Sequence, residues 1–254
     1  MTVFPDEALS DDKFLMGRLR LLQPVKGYRA ATDPVLLAAA CPAVAGQAVL
    51  DLGCGAGAAG LCLAARVPGV VLAGLEVQPE YADLARRNAA RNGVAMEVVA
   101  GDLAAMPRAL RRGFDHVIAN PPYYAAGGSP SPVAVRDKAL RVETPIAEWV
   151  AAAGQRLHPG GWLTMIFATP CLPEALAALA PKMGSAVVLP LAPRAGREPP
   201  RVILRARKGG RAAFRLLAPF VIHEGAAHDG DRENYTAAAN AVLRDGADLS
   251  AAFR

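Results

Sequence analysis

The sequence predicts an α/β domain built on a mostly parallel sheet, seven strands wide, with helices on both faces. Two observations carry this. From Ala48 to about Pro193, short apolar β-like runs alternate with helical patterns, and such alternation produces parallel strands joined by crossover helices. Two of the helical patterns also run into Asn-Gly and Pro-Gly-Gly, where helices commonly stop. A chain of 254 residues is long enough for one such domain with a sizeable core.

The elements follow in order. FLMGRLRLLQP (14–24) reads as a strand or hairpin, and TDPVLLAAACP (32–42) as a short helix capped by Thr32 or Asp33. Strands are expected at 48–53, 70–77, 95–102, 114–120, 161–169 and 185–192, with a late strand at 201–210 after a Pro/Arg loop. Helical patterns cover 58–66, 79–93 and 144–161, the last with Pro145 at its first turn. No repeat or long linker divides the chain, so residues 1–45 form an N-terminal extension packed on a main domain at 46–254.

Composition narrows the class. Hydrophobic residues make up 53% and charged residues 20%, which excludes a disordered chain. The acidic N-terminus has no apolar run and is not read as a signal peptide. The Ala-rich stretch 35–50 is broken by Pro42 and Gly46, so it belongs to a core and not to a membrane. Cys41, Cys54, Cys62 and Cys171 form no CxxC pair and no zinc spacing; they are expected to be reduced thiols in a cytoplasmic protein without a metal. The net charge of +5 permits an anionic partner such as RNA, although heavy Ala, Arg, Gly and Pro usage also fits a GC-rich genome.

VLDLGCGAGAAG (49–60) leaves a strand and enters a helix, where backbone N–H groups can face a charged cofactor. Gly55, Gly57 and Gly60 match the GxGxxG spacing of dinucleotide sites. Asp51 before the turn would repel a pyrophosphate but could pair with an ammonium or orient a cofactor through water. Glu76 and Asp102 close the next two strands, so three acids converge on one sheet edge. A carboxylate after the second strand suits ribose hydroxyls, and one after the third suits an adenine amino group. With DLGCGAG as the glycine motif, this pattern resembles the S-adenosylmethionine site of Rossmann-like methyltransferases.

At FDHVIANPPYY a buried strand halts on Asn120-Pro121-Pro122-Tyr123. The motif resembles that of methyltransferases acting on an exocyclic or amide nitrogen. The adenine N6 lone pair is delocalised into the ring, so the amine is a poor nucleophile. Two acceptors aimed at its hydrogens, the Asn120 side-chain oxygen and the Pro121 carbonyl, would localise that lone pair. Pro122 removes an N–H and stiffens the segment, Tyr123 can stack on the base, and Tyr124 is read as a wall or core residue.

LRLLQPVKGYRAATDPVLLAA (19–39), SPSPVAVRDKALRVE (129–143), HPGGWL and RVILRARKGG together resemble the bacterial tRNA1(Val) adenine-N6 methyltransferases over nearly the whole chain. The resemblance implies an S-adenosylmethionine-dependent enzyme acting on RNA, specifically tRNA near the anticodon. Asn120, Pro121, Pro122 and Tyr123 would form the base pocket. Asp51, Gly53, Gly55, Gly57, Glu76 and Asp102, with Thr32 and Asp33, would hold the cofactor. Lys26, Arg29, Arg136, Lys138 and Arg141 would meet RNA phosphates. Protein glutamine-N5 and rRNA guanine-N2 methylation share the motif and stay open as alternatives, as does, more remotely, an NAD-binding oxidoreductase or a non-catalytic cofactor-binding module.

Other polar features read as structural. His223-Glu224 with His228 lacks HExxH spacing. His116 alternates with core residues and is expected to be packed or hydrogen-bonded. His158 reads as a helix-end residue, and Arg86, Arg87 and Arg91 as a solvated helix face.

Overall fold

Side-chain alternation along the strands splits the core into two apolar layers, one on each face of a central sheet. On β3 (Ala48–Leu52) Val49 joins one layer while Leu50 and Leu52 join the other. On β6 (Phe114–Ala119) Ile118 faces opposite to Val117 and Ala119. The computed structural model describes residues 3–122, 144–180, 182–225 and 234–253.

The other long strands are β4 (Val71–Glu76), β5 (Met96–Ala100), β7 (Leu157–Ala168), β8 (Met183–Ala192) and β9 (Arg201–Lys208). They assemble in the order β8-β9-β7-β6-β3-β4-β5. Only β9 runs antiparallel to its neighbours, β7 and β8. Helices α1 (Asp33–Ala40) and α2 (Ala58–Arg66) pack on the Val49 face with α6 (Ala237–Leu243). Helices α4 (Ile146–Arg156) and α5 (Leu172–Leu179) cover the other face. This is the Rossmann-like arrangement, with seven main strands. Two-residue strands β10 (Arg215–Leu216) and β11 (Phe220–Val221) add to the β8 edge.

Several expectations need correction. Thr32 precedes α1 but makes no side-chain cap, because its own backbone is already helical. Helix α4 starts one residue after Pro145, which is its extended N-cap. His158 lies in β7, not at a helix end: the strand runs on directly from Arg156, and the imidazole covers Gly113, where any Cβ would clash with the ring. Among the described residues, no helix is long and apolar enough to cross a membrane.

The N-terminal segment is a hairpin of β1 (Leu9–Phe14) and β2 (Leu19–Pro24). It docks on α3 (Pro79–Arg91) through groups that the sequence reading assigned to solvent. Arg87 donates to the Phe4 carbonyl at 2.9 Å and pairs with Asp6, while Arg91 pairs with Asp11. Arg86 reaches the other way and donates to the Val98 carbonyl of β5. The free edge of β2 is closed by two asparagines. Asn88 accepts from the Leu22 N–H at 2.8 Å and donates to the Leu22 carbonyl at 3.0 Å. Asn92 does the same for Arg20, at 3.0 and 2.8 Å. The match is one of pitch: four helical residues rise about 6 Å, and two strand residues span about 6.7 Å.

Asn88 is fully buried and also donates to the Ala56 carbonyl at 2.9 Å, tying the hairpin to the glycine loop. Asn88→Ala would leave three backbone groups without their partner, two on half-buried Leu22 and one on buried Ala56. We expect it to cost about 3 kcal/mol, read as a fall of roughly 6–12 °C in the thermal midpoint for a chain of this size. An unchanged melting curve would show that water replaces the amide.

Candidate active site

The sheet order puts the chemistry at one place. Strand β3 is flanked by β4 on one side and β6 on the other, all parallel. Connections from β3 lead outward through β4 and β5, whereas β6 and β7 extend the opposite side. The carboxyl ends of β3 and β6 therefore border the crevice at the switch in strand order, where open α/β sheets bind ligands.

After β3 the chain turns through Gly53, Gly55 and Gly57, each left-handed, with φ of 75°, 54° and 86°. The Gly53 and Cys54 N–H groups both donate to the Leu75 carbonyl, at 2.8 and 2.9 Å, fixing the turn against β4. A Cβ on Gly53 would lie 2.5 Å from the Trp149 ring of α4, so glycine is required there by space as well as by conformation. Among the described residues, a Cβ at Gly55 would meet only the Tyr28 ring, at 3.9 Å.

Asp51 is 2% exposed and lies beneath this loop. Its Oδ2 accepts the Gly60 N–H at 2.9 Å, and a Cβ on Gly60 would sit 3.2 Å from that oxygen. The third glycine of the motif thus permits close approach of α2 to the β3 carboxylate. Burial pushes the Asp51 carboxyl up to about 7; the Gly60 N–H opposes the rise and the Glu76 charge adds to it. Glu76 ends β4 and divides its oxygens, one accepting from Gly55 N and the other from Gln78 N, both at 2.9 Å. Val77, next in the chain, is 60% exposed and adds an apolar surface beside them. Asp102 lies two residues past β5, exposed, with one oxygen accepting from Ala104 N at 2.9 Å.

Asn120 follows β6 directly, and the Ala119–Leu52 register sets it level with Gly53. Pro121 is buried and Pro122 exposed. The Asn120 Nδ2 lies 3.4 Å from the hydroxyl of Tyr28, in the segment between the hairpin and α1. Loop glycines, strand-end acids and Asn120 are thereby brought to one edge. Tyr123, Tyr124, Arg136, Lys138 and Arg141 lie outside the described residues.

The remaining residues named from sequence sit in the 26–33 segment. Lys26 is exposed. Arg29 is engaged inside the hairpin: it pairs with Asp12 at 2.6 Å and donates to Ser10 and to the Pro24 carbonyl. Asp33 pairs with Arg201 of β9 at 2.6 Å, and Thr32 is half-buried beside it. Sequence reasoning passed over Tyr28, Tyr81 and Asn88. The available signal was an aromatic beside a basic residue for the first, and amides spaced i, i+4 on α3 for the last. Among the described residues, no group of three or more His, Cys, Asp and Glu could hold a metal.

These residues fit S-adenosylmethionine. The left-handed glycine loop, the Glu76 carboxylate at the end of β4 and the exposed Val77 suit a zwitterion carrying a ribose and an adenine. Comparison with known proteins agrees. The family model for the methyltransferase small domain matches residues 31–186. A tRNA1(Val) (adenine(37)-N6)-methyltransferase from Yersinia enterocolitica is 36% identical over 44% of this chain and 43% of its own. A release factor glutamine methyltransferase from Deinococcus radiodurans is 34% identical over 58% of this chain and 46% of its own. The chain thus spans less than half the length of these two relatives. A tRNA1(Val) (adenine(37)-N6)-methyltransferase from Dickeya chrysanthemi is 27% identical over 85% of this chain and 87% of its own.

Among solved structures, a predicted O-methyltransferase from Agrobacterium tumefaciens superposes with a TM-score of 0.70 at 28% identity, covering 85% of this chain and 98% of that one. The T. thermophilus 16S rRNA N2 methyltransferase in complex with AdoMet and guanosine shares the fold, with a TM-score of 0.53 at 21% identity over 79% of this chain and 50% of that one. The chain belongs to the methyltransferase small domain family and carries its S-adenosylmethionine-dependent methyltransferase domain.

Proposed function

We propose that the protein transfers a methyl group to the N6 amine of an adenine in RNA, specifically in tRNA near the anticodon. The observation that carries this reading is the placement of Asn120-Pro121-Pro122 at the end of β6, level with the glycine loop on β3. An acceptor pair at that point faces the crevice in which the cofactor binds. The relatives named as tRNA1(Val) adenine-N6 enzymes support the choice of acceptor.

Bound S-adenosylmethionine supplies an electrophilic methyl on a sulfonium. The chain's part is to present the nucleophile. The Asn120 Oδ1 and the Pro121 carbonyl accept the two amine hydrogens, which withdraws the nitrogen lone pair from the ring and aims it at the methyl carbon. As the N–C bond forms and the C–S bond breaks, the amine nitrogen becomes acidic and releases one proton to water. A weak acceptor pair suffices, because that proton becomes labile only once the bond has formed. Lys26, with Arg136, Lys138 and Arg141, would meet RNA phosphates, and such contacts make binding salt-dependent.

Labelled cofactor incubated with separated RNA and protein fractions tests the reading. We expect label in tRNA, recovered as N6-methyladenosine by mass spectrometry of nucleosides. Label confined to protein would establish a glutamine amide as the acceptor, the chemistry named for the Deinococcus relative, and label in a guanine would move the site to N2.

A further inference from the structure

We propose that Tyr28 is a positioning residue for Asn120: its hydroxyl holds the amide Nδ2 and so directs Oδ1 toward the amine to be methylated. The inference rests on the acceptor role of Asn120 given above. A planar amide presents a donor on one side and an acceptor on the other. With the wrong side outward, the Asn120 N–H would face the substrate N–H and repel it. A group that accepts from Nδ2 removes this ambiguity, and the Tyr28 hydroxyl is placed to do so, 3.4 Å away.

Tyr28 is itself held. Its N–H donates to the Tyr81 hydroxyl at 3.0 Å, and that hydroxyl donates to the Tyr28 carbonyl at 3.2 Å. Tyr81 is buried in the first turn of α3, edge-on to Phe4 with ring centroids 5.1 Å apart. Gly27 makes this clamp possible: its φ is 130°, and a Cβ there would lie 3.0 Å from the Tyr81 hydroxyl. The Tyr28 ring then lies against the tip of the glycine loop, 3.9 Å from where a Gly55 Cβ would be. Tyr28 is thus fixed by two backbone hydrogen bonds while 44% exposed. Its position spans the cofactor loop and the acceptor-binding amide. Through Tyr81, helix α3, which follows the Glu76 strand, sets the geometry at the end of β6.

Tyr28→Phe keeps the ring and removes the hydroxyl. With bulk tRNA as acceptor, we expect kcat to fall roughly ten- to a hundredfold, the scale of a lost positioning contact. KM for tRNA and the Kd of S-adenosylhomocysteine should stay within about twofold, since neither ligand loses a bond. Adding Tyr28→Phe to Asn120→Ala should cost nothing further, because both changes act on one contact. Independently of any acceptor, 15N-asparagine labelling gives five side-chain amide pairs, and only that of Asn120 should shift in Tyr28→Phe. Wild-type kcat overturns the proposal, as does a cofactor Kd weakened in step with kcat, which would make Tyr28 a wall of the cofactor site. If tRNA accepts no methyl, the acceptor reading fails, and the Asn120 amide resonance alone decides on Tyr28: movement upholds the contact, and an unmoved signal ends it.

Discussion

Asn120→Ala is expected to lower methyl transfer by about a thousandfold, the upper end of what one preorganised polar contact in an active site supplies, while the affinity for S-adenosylhomocysteine stays within about twofold. The two quantities separate because the sheet separates their residues. On the reading proposed above, cofactor contacts would come from the ends of β3, β4 and β5, whereas Asn120 follows β6 on the other side of β3. Truncation at Cβ removes the acceptor for one amine hydrogen and leaves the loop hydrogen bonds of Gly53, Cys54 and Gly55 in place. The fold has little to lose, since Asn120 is half-buried and, among the described residues, its one side-chain partner is the Tyr28 hydroxyl. Single-turnover kinetics with calorimetry on the same preparation reads both. Activity within tenfold of wild type would mean that the Pro121 carbonyl alone presents the amine. A parallel loss of cofactor affinity would place Asn120 in the cofactor site.

Much of this geometry is legible in the sequence because parallel strands announce themselves. Each is a short apolar run bounded by a polar or glycine residue, and the expected 48–53, 70–77 and 114–120 became Ala48–Leu52, Val71–Glu76 and Phe114–Ala119. Helix α2 occupies the expected 58–66. The hairpin was harder. Its first strand, LSDDKF, has no apolar alternation, because the consecutive acids Asp11 and Asp12 point to opposite faces and each is held by an ion pair, with Arg20 and Arg29 respectively. Helix α5 has eight residues and begins behind a Thr-Pro turn, too short for a periodic signal. The arginines of α3 look solvated in one dimension, since nothing local reveals that Asp6 and Asp11 return to them from some 80 residues away. For the site, type and spacing suffice to suggest the carboxylates and Asn120. Tyr28 becomes visible only when the chain before α1 is seen folded back across the glycine loop.

Asp51→Asn is expected to stabilise the free protein at pH 8, although it alters a residue at the centre of the site. The sign follows from linkage. Asp51 titrates at about 7 in the fold, against an ordinary value of 3.8, so between those values the native state holds a proton that the unfolded chain has released. Stability then falls as pH rises through that window and stays low above it. The full difference corresponds to about 4 kcal/mol. Asparagine has the same shape, can still accept the Gly60 N–H, and carries no charge to bury beside Glu76.

The gap between the two proteins should therefore widen by about 2–3 kcal/mol from pH 5 to pH 8, visible as a thermal midpoint several degrees higher for the variant. His116 imposes an opposite slope. Burial holds its imidazole near 4, beside Gln47 at 2.8 Å, so its contribution is complete above 6.5 and lost as pH falls toward 4. It is common to both proteins and cancels in the difference. A variant that melts below wild type at pH 8 would show that the buried carboxylate is compensated in the free protein. The expected outcome instead describes a buried acid whose charge costs the fold stability, as strained or destabilising groups at functional sites commonly do.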